Sequence, residues 1–382
     1  MASVRLFSGK GEFVRRKLPD GGIEKVCLCV HNTDFLRGCI SQVRVDLLPE
    51  VIEHNGRYAP DKLKEYYKLG IADNRCMYCY ASRLNGGRVT PEKVDNVTES
   101  YFRELKLGII RIGKRTESGH VFYFPVLRDF LELCRKYGAE IILPTKALSF
   151  GREGLEHLQI DDRLPNLPVG KEIAGIFKQV GGVINYSIGN DRLEPGMVSQ
   201  GHTNAWRIEQ ARLYREAGVN TTLTITCDVT SSIEDNASRG FAVKQALEAG
   251  KKFEIPIRIL PLRISSHKLA VLATGKSWDE IKHIQERHHP KQTALFEMHQ
   301  VQGKPYQAKG NNELIPRFLH PDFQQLVDSG TGLCGIVGDY ENCDKCTLEN
   351  RRIRFPVSQL AEVEYNNKGK RRRLGLRGPK LF

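Results

Sequence analysis

Gly182-Val183-Ile184-Asn185-Tyr186-Ser187, the helical stretch 204–217 closed by Gly218, and Thr221-Thr222-Leu223-Thr224-Ile225-Thr226-Cys227 together decide the fold class. The two flanking runs are short and rich in β-branched residues. Between them, apolar residues recur with a period of about 3.6 and stop at a glycine, as in a helix. A strand, a helix and a second strand in this order predict a parallel pair, because parallel strands need a crossover of about that length. The same alternation extends outward to apolar runs at 25–30, 108–113, 140–143 and 255–262. A further helix at 126–137 ends at Gly138 and carries Phe130, Leu133, Cys134 and Tyr137 on one stripe. Thr90-Pro91-Glu92 opens another with a cap residue and a proline at the first helical position, and Ser277-Trp278-Asp279-Glu280 reads as a capping box.

Strand and helix alternating about six times between residues 25 and 275 predict an α/β protein. Two architectures satisfy that pattern, a partial (β/α)6-type barrel and an open doubly wound sheet, and periodicity alone does not choose between them. The predicted organisation is an N-terminal extension 1–24, a barrel 25–276 interrupted by an insertion 40–75, and a C-terminal region 277–382 with cysteines and a basic tail.

Composition bounds the function. The chain has 382 residues, 40% of them hydrophobic and 27% charged, which is enough to bury a large core and excludes disorder throughout. Its 58 Lys and Arg against 45 Asp and Glu leave +13, which favours an anionic partner. No apolar run approaches the roughly 20 residues a bilayer requires, and Met1 to Lys10 lacks a signal-peptide core. The expectation is a soluble, cytoplasmic protein without a membrane partner. Lys368 to Phe382 holds Lys368, Lys370, Arg371, Arg372, Arg373, Arg377 and Lys380, a run suited to solvent or to a phosphate backbone.

Ten cysteines in a reducing compartment point to metal binding or catalysis rather than disulfides. Cys76-Met77-Tyr78-Cys79 is a C-x-x-C, and Cys39 follows the first predicted strand. Such a set suits a zinc site with His54 as a fourth ligand, a redox pair, or three ligands of an iron–sulfur cluster with one iron left open. Cys27 and Cys29 share one face of the strand read at 25–30 and are expected to pack. Cys134 and Cys227 are likewise expected in the core, and His288-His289-Pro290 marks a helix end.

A second group, Cys334, Cys343 and Cys346, lies in a glycine-rich stretch able to wrap an ion. It reads either as a zinc knuckle, with a fourth ligand from His320 or elsewhere, or as an auxiliary iron–sulfur cluster.

With Cys39, Cys76, Tyr78 and Cys79 in these places, the chain resembles the radical S-adenosylmethionine superfamily. In that family three cysteines after the first barrel strand hold a 4Fe-4S cluster, with an aromatic residue before the last. Here 36 residues separate Cys39 from Cys76, where the family usually has a short spacer. The resemblance is loosely to the spore photoproduct lyase-type branch and covers roughly residues 25–265.

It implies that Gly113 and Glu117, after the second strand, meet the cofactor's amino group. It also implies that Ser187 and Arg207 hold its ribose and carboxylate, with Glu194 a further ribose contact. The implied activity is reductive cleavage of S-adenosylmethionine to a 5′-deoxyadenosyl radical, which takes hydrogen from a substrate. The electron would come from a partner such as flavodoxin or ferredoxin. Charge, the basic tail and the strand order lean towards nucleic acid or a nucleotide as substrate, and an auxiliary cluster towards a peptide. The alternative from another class is a zinc-stapled nucleic-acid-binding protein without catalysis.

Overall fold

The computed structural model describes the chain continuously over 170–264, in most of 117–151, 266–283 and 319–333, at 76–78, and as isolated strands elsewhere. In chain order the strands β1 (Arg5–Leu6), β2 (Phe13–Lys17), β3 (Ile23–Cys27), β4 (His31–Asp34) and β5 (Ile109–Ile112) come first. The alternation follows: α1 (Phe124–Tyr137), β6 (Glu140–Thr145), α2 (Gly170–Gln179) and β7 (Val183–Ile188). After a 3₁₀ turn at Asp191–Leu193 come α3 (Pro195–Ser199), α4 (Asn204–Glu216), β8 (Asn220–Cys227), α5 (Ile233–Ser238), α6 (Val243–Lys252), β9 (Ile257–Pro261) and α7 (His267–Thr274). The C-terminal part contributes α8 (Pro321–Asp328), β10 (Gly332–Leu333), β11 (Ile353–Phe355), β12 (Val363–Tyr365) and β13 (Arg371–Arg373).

The main sheet runs β1-β4-β5-β6-β7-β8-β9-β10, with every pair from β4 to β10 parallel and β1 antiparallel at the edge. The parallel strands thus lie side by side in the order of the chain. A doubly wound sheet reverses its order at a switch point, which sends helices to both faces. Here no reversal occurs, and right-handed crossovers of one direction keep the helices on one face, as in the wall of a (β/α) barrel. The sheet is open, since among the described residues β1 pairs with β4 and β10 with β9, not with each other.

Several elements form where their residues dictate. The Thr203 hydroxyl accepts from the Trp206 amide to cap α4, whose end is turned by Gly218 at φ +81°, a left-handed position that favours glycine. Ser277 and Glu280 close the expected capping box, the Ser277 amide donating to Glu280 and the Glu280 amide to the Ser277 hydroxyl.

Register divides the sheet residues between two faces. Ile141, Leu143, Ile184, Tyr186, Leu223 and Ile225 pack in one cluster with Phe130, Phe177 and Tyr214 of the helices. Fully withdrawing each such side chain from water contributes about 1.5–3 kcal/mol. Cys134 and Cys227 belong to this cluster, as their apolar settings predicted. On the other face, the partners Asn185↔Thr222, Ser187↔Thr224 and Thr224↔Arg258 make a polar surface inside the barrel wall.

Three expectations change. The run 25–30 is not one barrel strand: β3 ends at Cys27 and lies in a separate antiparallel sheet between β2 and β11, while β4 enters the main sheet. The reason is non-local. β3 is claimed by a partner at 353–355, and His31-Asn32-Thr33-Asp34, poor in strand-forming side chains, is held by β5. Second, β1 and β10, from the regions read as extensions, complete the edges of the main sheet, so its boundaries exceed 25–276. Third, the basic tail is not uniformly loose, because β13 pairs with β12. The insertion 40–75, the helix read after Thr90 and His288-His289-Pro290 lie outside the described residues. Among the described residues no helix is long and apolar enough to cross a membrane.

Candidate active site

Residues 76–78, the described part of the C-x-x-C, dock at the carboxyl ends of the parallel strands. The Met77 amide donates to the Leu193 carbonyl at 2.8 Å, which fastens the loop to the 3₁₀ turn just after β7. Met77 and Tyr78 are half-buried against the core. The Tyr78 hydroxyl accepts from Lys146 Nζ at 2.9 Å, and the same ammonium lies 2.8 Å from Glu194 Oε1. Lys146 directly follows β6, so its side chain rises from the strand end towards both partners.

Glu194 and Arg207 form an ion pair at 2.5 Å with both side chains fully buried. Arg207 Nη1 also donates to the Ser187 carbonyl and to Asn204 Oδ1, each at 3.2 Å. Asn204 in turn bonds both backbone groups of Gly189, accepting from its amide at 2.9 Å and donating to its carbonyl at 3.2 Å. A Cβ on residue 189 would stand 2.8 Å from Glu194 Oε1 and 3.0 Å from the Tyr78 hydroxyl, so any larger residue there would displace these two side-chain ends. Burial pushes the Glu194 carboxyl up, and the Arg207 guanidinium pulls it back.

Glu117 sits in a cradle at the end of β6. Its Oε1 accepts from the Thr145 hydroxyl at 2.5 Å and the Gly119 amide at 3.3 Å, and its Oε2 from the Lys146 amide at 2.8 Å. Burial raises this carboxyl above its ordinary value, although these donors oppose the shift.

Glu117, Tyr78, Glu194, Arg207 and Ser187, singled out separately in the sequence, are thus joined through Lys146 into one connected set. Cys76 belongs to the docked loop. Gly113, Cys39 and Cys79 lie outside the described residues, as do Cys334, Cys343 and Cys346 of the second group and His54. His320 is described: it caps α8, its Nδ1 accepting from the Asp322 amide at 3.3 Å. Among the described residues no group of three or more His, Cys, Asp or Glu is arranged to hold a metal.

Sequence reasoning passed over Lys146, Asn204 and Gly189. The available signals were a cation at the end of a predicted strand and a glycine just beyond the next one. One buried donor in the set has no hydrogen-bond partner among the described residues, Arg207 Nε. An unspent guanidinium donor beside Cys76 fits a ligand that brings a carboxylate or hydroxyl oxygen.

Among solved structures, the chain is similar to spore photoproduct lyase. In complex with a dinucleoside spore photoproduct, that structure matches 56% of this chain and 57% of its own, at 13% identity and a TM-score of 0.32. Streptococcus suis SuiB bound to precursor peptide SuiA matches 56% of this chain and 42% of its own, at 13% identity and a TM-score of 0.31. The chain therefore spans little more than half of the lyase and less of SuiB. No family model and no curated protein matches the sequence.

Proposed function

We propose that the chain is a radical S-adenosylmethionine enzyme acting on nucleic acid or a nucleotide. The observation that carries this reading is the docking of the Cys76 loop, through Met77 and Tyr78, onto the strand ends beside Lys146 and the buried Glu194–Arg207 pair. The carboxyl ends of parallel strands are where such folds collect their reactive groups.

Cys39, Cys76 and Cys79 would hold a 4Fe-4S cluster with one iron open. When bound, the cluster and S-adenosylmethionine supply a 5′-deoxyadenosyl radical that removes hydrogen from the substrate, the electron coming from a partner such as flavodoxin or ferredoxin. The chain's own residues bind and orient. Tyr78 and Lys146 hold the thiol loop at a set height above the sheet. Gly113 and Glu117 would bind the cofactor's amino group, and Ser187 its hydroxyls. Arg207 has turned its fork onto Glu194, so it acts on a ligand mainly by fixing that carboxylate. Cys334, Cys343 and Cys346 would hold a second iron–sulfur cluster or zinc. The net charge of +13 supports the anionic substrate.

The test is anaerobic reconstitution with iron and sulfide, then incubation with dithionite and S-adenosylmethionine. The expected product is 5′-deoxyadenosine, formed by brown protein and reduced to background in Cys76→Ala, with the circular dichroism of the parent retained. Colourless protein holding zinc that iron does not displace, or cleavage undiminished in Cys76→Ala, would overturn the proposal in favour of the non-catalytic binder.

A further inference from the structure

Helix α4 meets β7 and β8 with a face that is polar where such faces are ordinarily apolar. Of its buried residues, Asn204, Arg207, Gln210, Ala211 and Tyr214, only Ala211 lacks a polar end. These positions recur every three or four residues and so lie along one stripe. Burying a polar side chain costs free energy unless its atoms find partners, so the stripe gains little from leaving water. It holds backbone instead.

The partners fall on two loops. The N-terminal half of the stripe grips the segment after β7: Asn204 bonds both backbone groups of Gly189, and Arg207 holds the Ser187 carbonyl. The C-terminal half grips the segment after β6. Gln210 Oε1 accepts from the Phe150 amide at 2.7 Å, and the Tyr214 hydroxyl donates to the Ser149 carbonyl at 3.0 Å. From β7, the Tyr186 hydroxyl donates to the Leu148 carbonyl at 2.8 Å, while Thr145 Oγ1 accepts from the Ala147 and Leu148 amides, each at 3.1 Å. Residues 146–150 belong to no strand or helix, so these bonds set their course.

Lys146 stands at the head of that run. Its Nζ donates to the Tyr78 hydroxyl at 2.9 Å and lies 4.7 Å from the centre of the Tyr78 ring. Residues 76–78 therefore rest on two supports, Lys146 from one loop and Leu193 from the other, and α4 holds both loops.

We infer that Gln210 and Tyr214 are positioning residues for the thiol loop. Through the backbone of 148–150 they fix where Lys146 stands, and through Lys146 the height at which Tyr78 and Cys76 dock. From the proposed function the inference takes only that the docked loop is the reactive centre.

Hydrogen exchange read by mass spectrometry on the full chain as purified tests this, with no reductant or cofactor added. Absence of 5′-deoxyadenosine in the cleavage assay would leave the exchange result intact, so the two readings fail separately. The Met77 amide, bonded to the Leu193 carbonyl, reports docking, and the amides of β8 report the body of the sheet. Gln210→Met removes the acceptor at similar length. Tyr214→Phe removes the hydroxyl but keeps the ring that meets Phe150 edge-on at 5.0 Å. In each variant the peptide covering 76–78 should exchange about tenfold faster than in the parent, with β8 unchanged. Gln210→Glu, which keeps an acceptor for the Phe150 amide, should return the parental rate. Equal acceleration of 76–78 and β8 would reveal lost stability alone and overturn the inference. So would an unchanged rate at 76–78, or acceleration by Gln210→Glu equal to that by Gln210→Met. Should Gln210→Met not fold, Tyr214→Phe decides the matter by the same two rates.

Discussion

Arg207 shows how one residue ties fold to site. It is fully buried, yet its guanidinium answers to Glu194, the Ser187 carbonyl and Asn204 at once. Removing one partner of a buried ion pair leaves the other charged without compensation, which typically costs about 3–5 kcal/mol, while removing both is far milder. Arg207→Met should therefore lower stability in urea unfolding, by less than that range because Lys146 Nζ still lies 2.8 Å from Glu194 Oε1. Glu194→Gln combined with Arg207→Met should recover much of the loss. An additive pair would show that the two groups are independent. Both residues were visible in the sequence as charged groups around a strand end. Their mutual pairing was not, because it depends on how the turn after β7 folds back over α4. Lys146 was invisible for a related reason: a single lysine after a strand reads as a solvated cation until its neighbours from 78 and 194 are in place.

Between elements, Glu117 clamps the segment after β5 to the end of β6 through the Thr145 hydroxyl and the Lys146 amide. Its carboxyl is raised above the ordinary 4.5 mainly by burial. A raised carboxyl binds its proton more tightly in the folded than in the unfolded chain. Stability from this group is thus fullest below pH 4.5 and is lost as pH rises towards the folded value. Across that window the parent should lose stability relative to Glu117→Gln, with a slope difference of at most about 1.4 kcal/mol per pH unit. Urea midpoints of both proteins over a pH series check it, and parallel curves would refute it. Among the elements, β7, α4 and β8 were readable because apolar period, cap and terminal glycine all lie within the segment. β4 was not, because the strand character of His31–Asp34 is conferred by pairing to β5.

At the scale of the whole molecule, charge and edges matter. The net +13 includes a tail of which Arg371–Arg373 forms β13 against β12. If this ladder presents cations to a phosphate backbone, deleting 368–382 should weaken binding of single-stranded DNA and shallow its salt dependence, by about 0.7 in the log–log slope for each phosphate that the tail neutralises. Salt titration of binding by parent and truncated chain measures this, and an unchanged slope would return the tail to solvent.

Local pattern was enough to establish an alternating α/β chain, to locate the strands after residue 108, and to mark a thiol loop and several polar side chains as chemically purposeful. Helical period, caps and short apolar runs are properties of neighbours in the chain. Only the folded molecule decided that the strands stack in chain order without reversal, that the sheet stays open, and that its inward face is polar. It also decided that residues 78, 117, 146, 187, 194 and 207 meet at one end of that sheet. Those outcomes depend on hydrogen bonds and packing between segments far apart in the chain, where periodicity carries no information.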